Sequence, residues 1–203
     1  EMNWHQALQE SLSWLAIASF ITLVCFTAAA TLAVRCTRWG SQFWQLAGPY
    51  FSFRRSWRPL LVFALLLVLT LFSVRLNVLF SFWYNGFYSA LQGLDQAAFW
   101  YLLGVFAVLA TIHVLRSLFT FYVSQAFSIQ WRVWLTERLT HDWMHGDAYY
   151  RGQFLAEPVD NPDQRIELDV NAFVSNSVTL ALGAVSALVS LVAFTGILWG
   201  VSA

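Results

Sequence analysis

Arg75 and Arg116 each interrupt a run of otherwise apolar residues, the first within Pro59 to Trp83 and the second within Ala97 to Ile129. A guanidinium at the depth of a bilayer costs about 3 kcal/mol unless it faces protein, an aqueous cavity or the headgroups. Asn77, Asn85, His113, Ser124 and Gln125 lie on or beside the same stretches. Together with the two arginines they form the polar set expected to line a hydrophilic translocation cavity. The plainer alternative for Arg75 is that it snorkels to the headgroups, since Trp83, Tyr84, Phe87 and Tyr88 follow it as an aromatic belt. Arg116 lies deeper and is the stronger cavity candidate.

A second polar group lies in the last third of the chain. Asn161 is a good helix N-cap, Pro162 suits the first helical position, and Gln164 can reach back to the cap. Asp163 adds negative charge where the helix dipole favours it. Tyr149, Tyr150 and Arg151 precede this start, and Arg165 and Asp169 follow it at the i, i+4 spacing of an ordinary helix pair. Glu137, His141 and His145 share a helical face in a spacing that can bind zinc, but no third His or Cys ligand accompanies them. No metal site is therefore assigned. The chain has no nucleophile elbow and no Cys/His pair placed for covalent catalysis, so no catalytic residue is assigned either. Because it also contains no lysine, it cannot hold a G-x-x-x-x-G-K-[ST] phosphate loop.

The elements that carry these residues follow from composition. The chain has 203 residues, of which 59% are hydrophobic and 11% charged, against about a quarter charged in soluble domains. Crossing a hydrocarbon core of about 30 Å takes about 20 apolar residues in a helix. Four stretches qualify, at about 11–34, 59–83, 97–129 and 170–203. The fold class expected is an all-α integral membrane protein. The third stretch runs on to about residue 144 without Pro or Gly, giving 48 residues from Ala97 to Met144, roughly 70 Å if helical throughout. Such a helix extends well past the membrane.

All eleven basic residues are arginine. Five (Arg35, Arg38, Arg54, Arg55, Arg58) fall between the first two spans and four (Arg132, Arg138, Arg151, Arg165) between the last two. By the positive-inside rule both connections are cytoplasmic, and the Ser81 to Phe99 turn faces outward. The aromatic residues of Thr37 to Arg58, Tyr50 and Phe51 among them, suggest an elbow helix at headgroup level. A net charge of zero gives no argument for nucleic-acid binding. Cys25 and Cys36 lie in or beside the first span near its inner end, where thiols stay reduced. The chain starts at Glu1 and stops at Ala203 inside an apolar run, so a longer polypeptide is expected.

Several blocks in fixed order carry a family resemblance. They are Arg75-Leu76-Asn77-Val78-Leu79-Phe80-Ser81, Phe87-Tyr88-Ser89-Ala90-Leu91-Gln92, Trp131-Arg132-Val133-Trp134-Leu135-Thr136, Tyr149-Tyr150-Arg151 and Asn161-Pro162-Asp163-Gln164-Arg165-Ile166. With these the chain resembles the SbmA/BacA-like ABC transporters, in particular the ATPase-bearing branch that includes the mycobacterial vitamin B12 transporter. ABC subfamily D is more distantly similar. The resemblance implies the front part of an exporter-type membrane domain, completed by a second copy in a homodimer of the bacterial cytoplasmic membrane. It further implies a nucleotide-binding domain, in the same polypeptide, using ATP and Mg2+, while no cofactor is assigned to the present residues. Cargo would be hydrophilic, such as cobalamin or an antimicrobial peptide, and the whole protein an ATPase. Tyr149, Tyr150, Arg151, Asp163, Gln164, Arg165 and Asp169 would form or brace the tip that couples to that domain. The alternative is that they only cap helices and pair with one another. The alternative for the whole protein is a proton-coupled peptide permease without an ATPase domain.

Overall fold

A computed structural model of the chain describes residues 4–52, 56–145, 150 and 161–202. Among the described residues five helices follow one another and no strand occurs: α1 (Trp4–Cys36), α2 (Arg38–Ala47), α3 (Arg58–Gln92), α4 (Gln96–Met144) and α5 (Pro162–Ser202). All but α2 are long and apolar enough to cross a membrane. α4 is unbroken over 49 residues, and α5 is one helix of 41 residues that starts at Pro162, eight residues ahead of its uncharged run. The residues between Gly146 and Asp160, Tyr150 apart, lie outside the described residues.

The helices contribute to two compact units. The first comprises residues 1–28, 64–123 and 182–203. Its core is the seam between α3 and α4, where Leu76, Leu79, Trp83 and Ala90 recur at helical spacing against Leu102 and Leu109. Phe72, Phe80, Phe87, Val105 and Ile112 pack around them. Within the seam the Trp83 indole N–H donates to the Leu102 carbonyl at 2.8 Å, tying one helix to the other.

A three-residue turn reverses the chain between α3 and α4. Asp95 N–H donates to the Ala90 carbonyl at 3.0 Å and Leu94 N–H to the Leu91 carbonyl at 3.3 Å, the paired bonds of a Schellman motif. That motif needs a left-handed residue at its centre, and the position is filled by Leu94 at φ 52° rather than by Gly93 before it. Asp95 then starts α4, its Oδ1 accepting from Ala98 N–H at 3.0 Å.

The second unit comprises residues 29–63 and 124–181. Thr37 ends α1 and begins α2: its hydroxyl donates to the Ala33 carbonyl at 2.6 Å and accepts from Gly40 N–H at 3.1 Å. Gly40 is buried against α1, and a Cβ there would sit 2.3 Å from the Ala33 carbonyl oxygen. Only glycine lets the two helices approach so closely. Past α2, Tyr50 N–H donates to the Ala47 carbonyl at 3.0 Å, a turn that directs Tyr50 inward.

Tyr50 is the centre of an aromatic cluster. Its ring stacks on Trp131 with centroids 5.6 Å apart and planes 7° from parallel, and it touches Phe51, Phe127 and Trp134. Phe63 joins through Phe51 and Phe127, and Phe173 of α5 through Trp131. The aromatics of residues 37–58 therefore divide between the protein interior and its surface. Tyr50 and Phe51 are drawn into the protein by the facing rings of α4, while Trp39, Trp44 and Trp57 remain exposed as expected of interfacial residues.

Candidate functional site

In the first unit, the span-embedded cations do not share one location. Arg75 on α3 donates from Nε to the Ser11 hydroxyl at 3.0 Å, and its guanidinium lies 5.6 Å from the centroid of the Trp14 ring, both on α1. It forms part of the wall of an open cavity of about 460 Å³, with Val78 and Phe82 of α3 and Ala193, Gly196 and Ile197 of α5. Arg116 instead reaches from α4 to α3, where Nη1 donates to the Leu69 carbonyl at 3.3 Å. Its Nε is buried with no hydrogen-bond partner among the described residues, as is Nδ1 of His113, one turn earlier on α4. The His113 ring sits edge-on to Phe80 at 6.0 Å.

Orphaned polar atoms in a buried setting are uncommon, because each forfeits its hydration without compensation. Two from neighbouring turns mark the His113–Arg116 face as a place that can receive a hydrogen-bonding group. Asn77 and Asn85 are exposed on α3, while Gln125, also exposed, and the half-buried Ser124 belong to the other unit.

In the second unit the Trp131 to Thr136 block divides by helical face. Trp131 and Leu135, four residues apart, are buried, and the Trp131 indole N–H has no partner among the described residues. Arg132 points outward and donates to the Asn171 side chain of α5 at 2.8 Å. These two line a shallow cavity of about 290 Å³ with Val133, Thr136, Glu137, Glu167 and Val170. Arg138, a little further along α4, lies within 3.4 Å of the Gln45 and Leu46 carbonyls and over the Trp134 ring. A cation at the C-terminal end of α2 matches the negative end of that helix dipole. This role for Arg138 escapes sequence reading, since it depends on a contact across more than ninety residues.

Burial pushes the Tyr50 hydroxyl up to about 12. Tyr50 is likewise invisible in the sequence as a core residue. The only local hint is the Gly48-Pro49 pair before it, which requires the chain to turn.

The residues expected at the coupling tip are placed as follows. Asn161 precedes α5 with φ 45°, a left-handed conformation that Asn adopts more readily than most residues, and its carbonyl accepts from Arg165 N–H at 3.1 Å. Pro162 is the first helical residue. Asp163, Gln164, Arg165 and Asp169 are exposed in the first turns of α5, and Tyr150 is exposed as well. Arg165 and Asp169 do not form an ion pair. Among the described residues the ion pairs are Arg138–Asp142 at 3.9 Å and His141–Asp142 at 3.7 Å, both on α4. Tyr149 and Arg151 lie outside the described residues.

Comparison with known proteins adds to this geometry. Residues 46–203 match the family described as ABC transporter transmembrane region 2. An uncharacterized ABC transporter ATP-binding protein of Haemophilus influenzae is 41% identical over 201 residues, 99% of this chain and 34% of that protein. The inner membrane ABC transporter ATP-binding protein YddA of Escherichia coli is 31% identical over 156 residues, 76% of this chain and 28% of YddA. The human lysosomal cobalamin transporter ABCD4 is 31% identical over 113 residues, 56% of this chain and 19% of that protein. The chain spans about a third of the length of the curated relatives that match nearly all of its residues.

Proposed function

The chain belongs to the ABC transporter transmembrane region 2 family, and from that membership we propose that it is the front part of the membrane domain of an ATP-driven transporter working by alternating access. The observation that carries this reading is α4. Its 49 helical residues extend about 70 Å, more than twice the thickness of the hydrocarbon core. A membrane helix of that length has a reason to exist when it meets a second body outside the bilayer. With α5, whose first turns carry Asp163, Gln164, Arg165 and Asp169 exposed, it makes a pair of rods suited to receive a push.

The push comes from a nucleotide-binding domain. Without lysine this chain cannot supply the phosphate loop, whereas several relatives are named as ATP-binding. ATP and Mg2+ therefore belong to another part of the full-length protein. Tyr149, Tyr150 and Arg151 with the start of α5 are the coupling tip in this reading, and Asn161 and Pro162 fix where the second rod begins. A second copy completes the cavity, in keeping with α1, whose most apolar stretch has no fully buried residue. The arginine-rich connections face the cytoplasm of a bacterial cell.

Within the family, the ordered Trp131 to Thr136, Tyr149 to Arg151 and Asn161 to Ile166 blocks support the SbmA/BacA-like, ATPase-bearing branch. A hydrophilic cargo, cobalamin among the candidates, would pass the His113–Arg116 face. A proton-coupled permease is less well supported, because no carboxylate lies within the apolar spans and both Glu137 and Asp169 are exposed outside them. In the full-length transporter, replacing the phosphate-loop lysine should abolish ATP hydrolysis and cargo movement together. Arg116→Leu should impair movement while hydrolysis continues. Transport that survives the lysine change but stops with a proton ionophore would refute the ATP-driven reading.

A further inference from the structure

Arg116 brings a guanidinium to the seam between α3 and α4, where its hydrogen-bond partner among the described residues is a neutral one. Nη1 donates to the Leu69 carbonyl at 3.3 Å, while Nε is buried without a partner. A cation withdrawn from water is normally matched by an anion, since its desolvation is otherwise uncompensated. Among the described residues no carboxylate pairs with Arg116. The sequence explains why. α3 has no acidic residue, and the nearest on either side of Arg116, Asp95 and Glu137, stand about 30 Å off at 1.5 Å per residue. Glu10, the one acidic residue of α1, adjoins Ser11, which meets Arg75 about 9 Å along α3 from Leu69. The part of α5 in this unit, residues 182–202, has none.

His113 repeats the pattern one turn earlier. Its Nδ1 is buried without a partner among the described residues, and its ring meets Phe80 edge-on, which supplies no acceptor. Residues three apart on a helix have Cβ atoms about 5–6 Å apart, so the two orphaned nitrogens belong to one patch. Thr120, the hydroxyl one turn further on, donates to the Arg116 carbonyl at 2.8 Å and is already engaged. Arg116 and His113 are both half-buried, which leaves the patch reachable from outside the seam. A planar guanidinium beside an imidazole N–H is a set of donors, and its complement is an oxyanion. A hydroxyl or an amide would satisfy the hydrogen bonds but leave the charge uncompensated.

We propose that the His113–Arg116 face binds an oxyanion, a carboxylate or a phosphate, borne by the transported molecule. The proposal rests on the cargo path described above and narrows the cargo from hydrophilic molecules in general to those with at least one such group. Arg116 meets the charge, and His113 fixes the position of one oxygen.

The test uses the full-length protein in detergent and ligand-observed fluorine NMR with para-fluorobenzoate, para-fluorophenyl phosphate and the neutral para-fluorobenzamide as probes. Wild type should bind at least one of the anions about tenfold more tightly than the amide, the advantage expected of one charge-assisted contact. Arg116→Gln should erase that advantage, Arg116→Lys should keep part of it, and His113→Phe should reduce it by a smaller factor. Because Arg116→Gln removes an uncompensated cation, its thermal midpoint should not fall below that of wild type. Wild type that binds none of the probes, or binds anions and amide alike, overturns the proposal, as does an anion preference that survives in Arg116→Gln. A midpoint that drops in Arg116→Gln while wild type ignores both anions identifies a carboxylate of the protein as the partner of Arg116, and overturns it too. Probe binding requires neither nucleotide nor the phosphate-loop lysine, so its outcome stands apart from that of the ATP-driven reading.

Discussion

Trp83 and Trp131 are both buried indoles, 6% and 2% exposed, yet their units use them differently. In the first unit Trp83 is pinned by a hydrogen bond to the facing helix and surrounded mainly by aliphatic side chains and phenylalanines. In the second unit Trp131 has no hydrogen-bond partner for its N–H among the described residues, and its neighbours Tyr50, Phe51, Phe127 and Phe173 are all rings. The seam of the first unit thus gains direction from a polar bond. The second gains it from the shapes and quadrupoles of stacked and edge-on rings. Its helices come from two separate stretches of chain, and large flat side chains reach across them where smaller residues would leave voids.

The comparison can be broken most easily at its most buried ring. Trp131→Ala should cost about 3–5 kcal/mol, because the surrounding rings cannot all collapse into the space. A denaturant or SDS titration of the full-length protein should show the midpoint falling sharply. A cost below about 1 kcal/mol would mean that the cluster is loosely packed.

Making the same substitution in both units sharpens the contrast. Trp83→Phe and Trp131→Phe lose similar ring area, but only the first loses a hydrogen bond, so Trp83→Phe should be worse by about 1–2 kcal/mol. Equal costs would show that the Trp131 N–H has found a partner. Alkaline pH probes the second unit alone. The Tyr50 hydroxyl, held up to about 12, keeps its proton where the unfolded chain would lose it near 10. Its contribution is fully present below about pH 10 and is lost as pH rises toward 12. Tyr50→Phe should flatten that alkaline decline, and a slope identical to wild type would place the phenol in water. The smallest effect belongs to the first unit. Leu94→Gly removes a left-handed leucine that is 90% exposed and should stabilise by about 1 kcal/mol, seen as a small rise in thermal midpoint.

Helix existence was legible because apolar runs of bilayer length with at most one charge have few alternatives, and the all-α membrane class follows from them. Pro162 marked the first residue of α5, as its fixed φ and missing N–H suit that position. The interior was less legible. Tyr50 and Trp39 are both aromatic residues near arginines in the same connection, yet one is buried and the other exposed. What separates them is contact with α4 some eighty residues later, which no local pattern encodes. The polar set Arg75, Asn77, Asn85, His113, Arg116 and Gln125 could be picked out by residue type. Its division between an α1-facing cation, an α3-facing cation and exposed amides could not, because that depends on how each helix is rotated about its axis.

The turn at Gly93 to Asp95 has a consequence for orientation. With only three residues between α3 and α4 there is no length for an extra crossing, so a chain in which both helices span crosses the membrane twice between α2 and the end of α4. Two passes return it to the side it left. Arg38 and Arg165 must therefore always report the same compartment to an impermeant label, however the molecule as a whole is inserted, and a split result would mean that α3 or α4 is not seated in the bilayer.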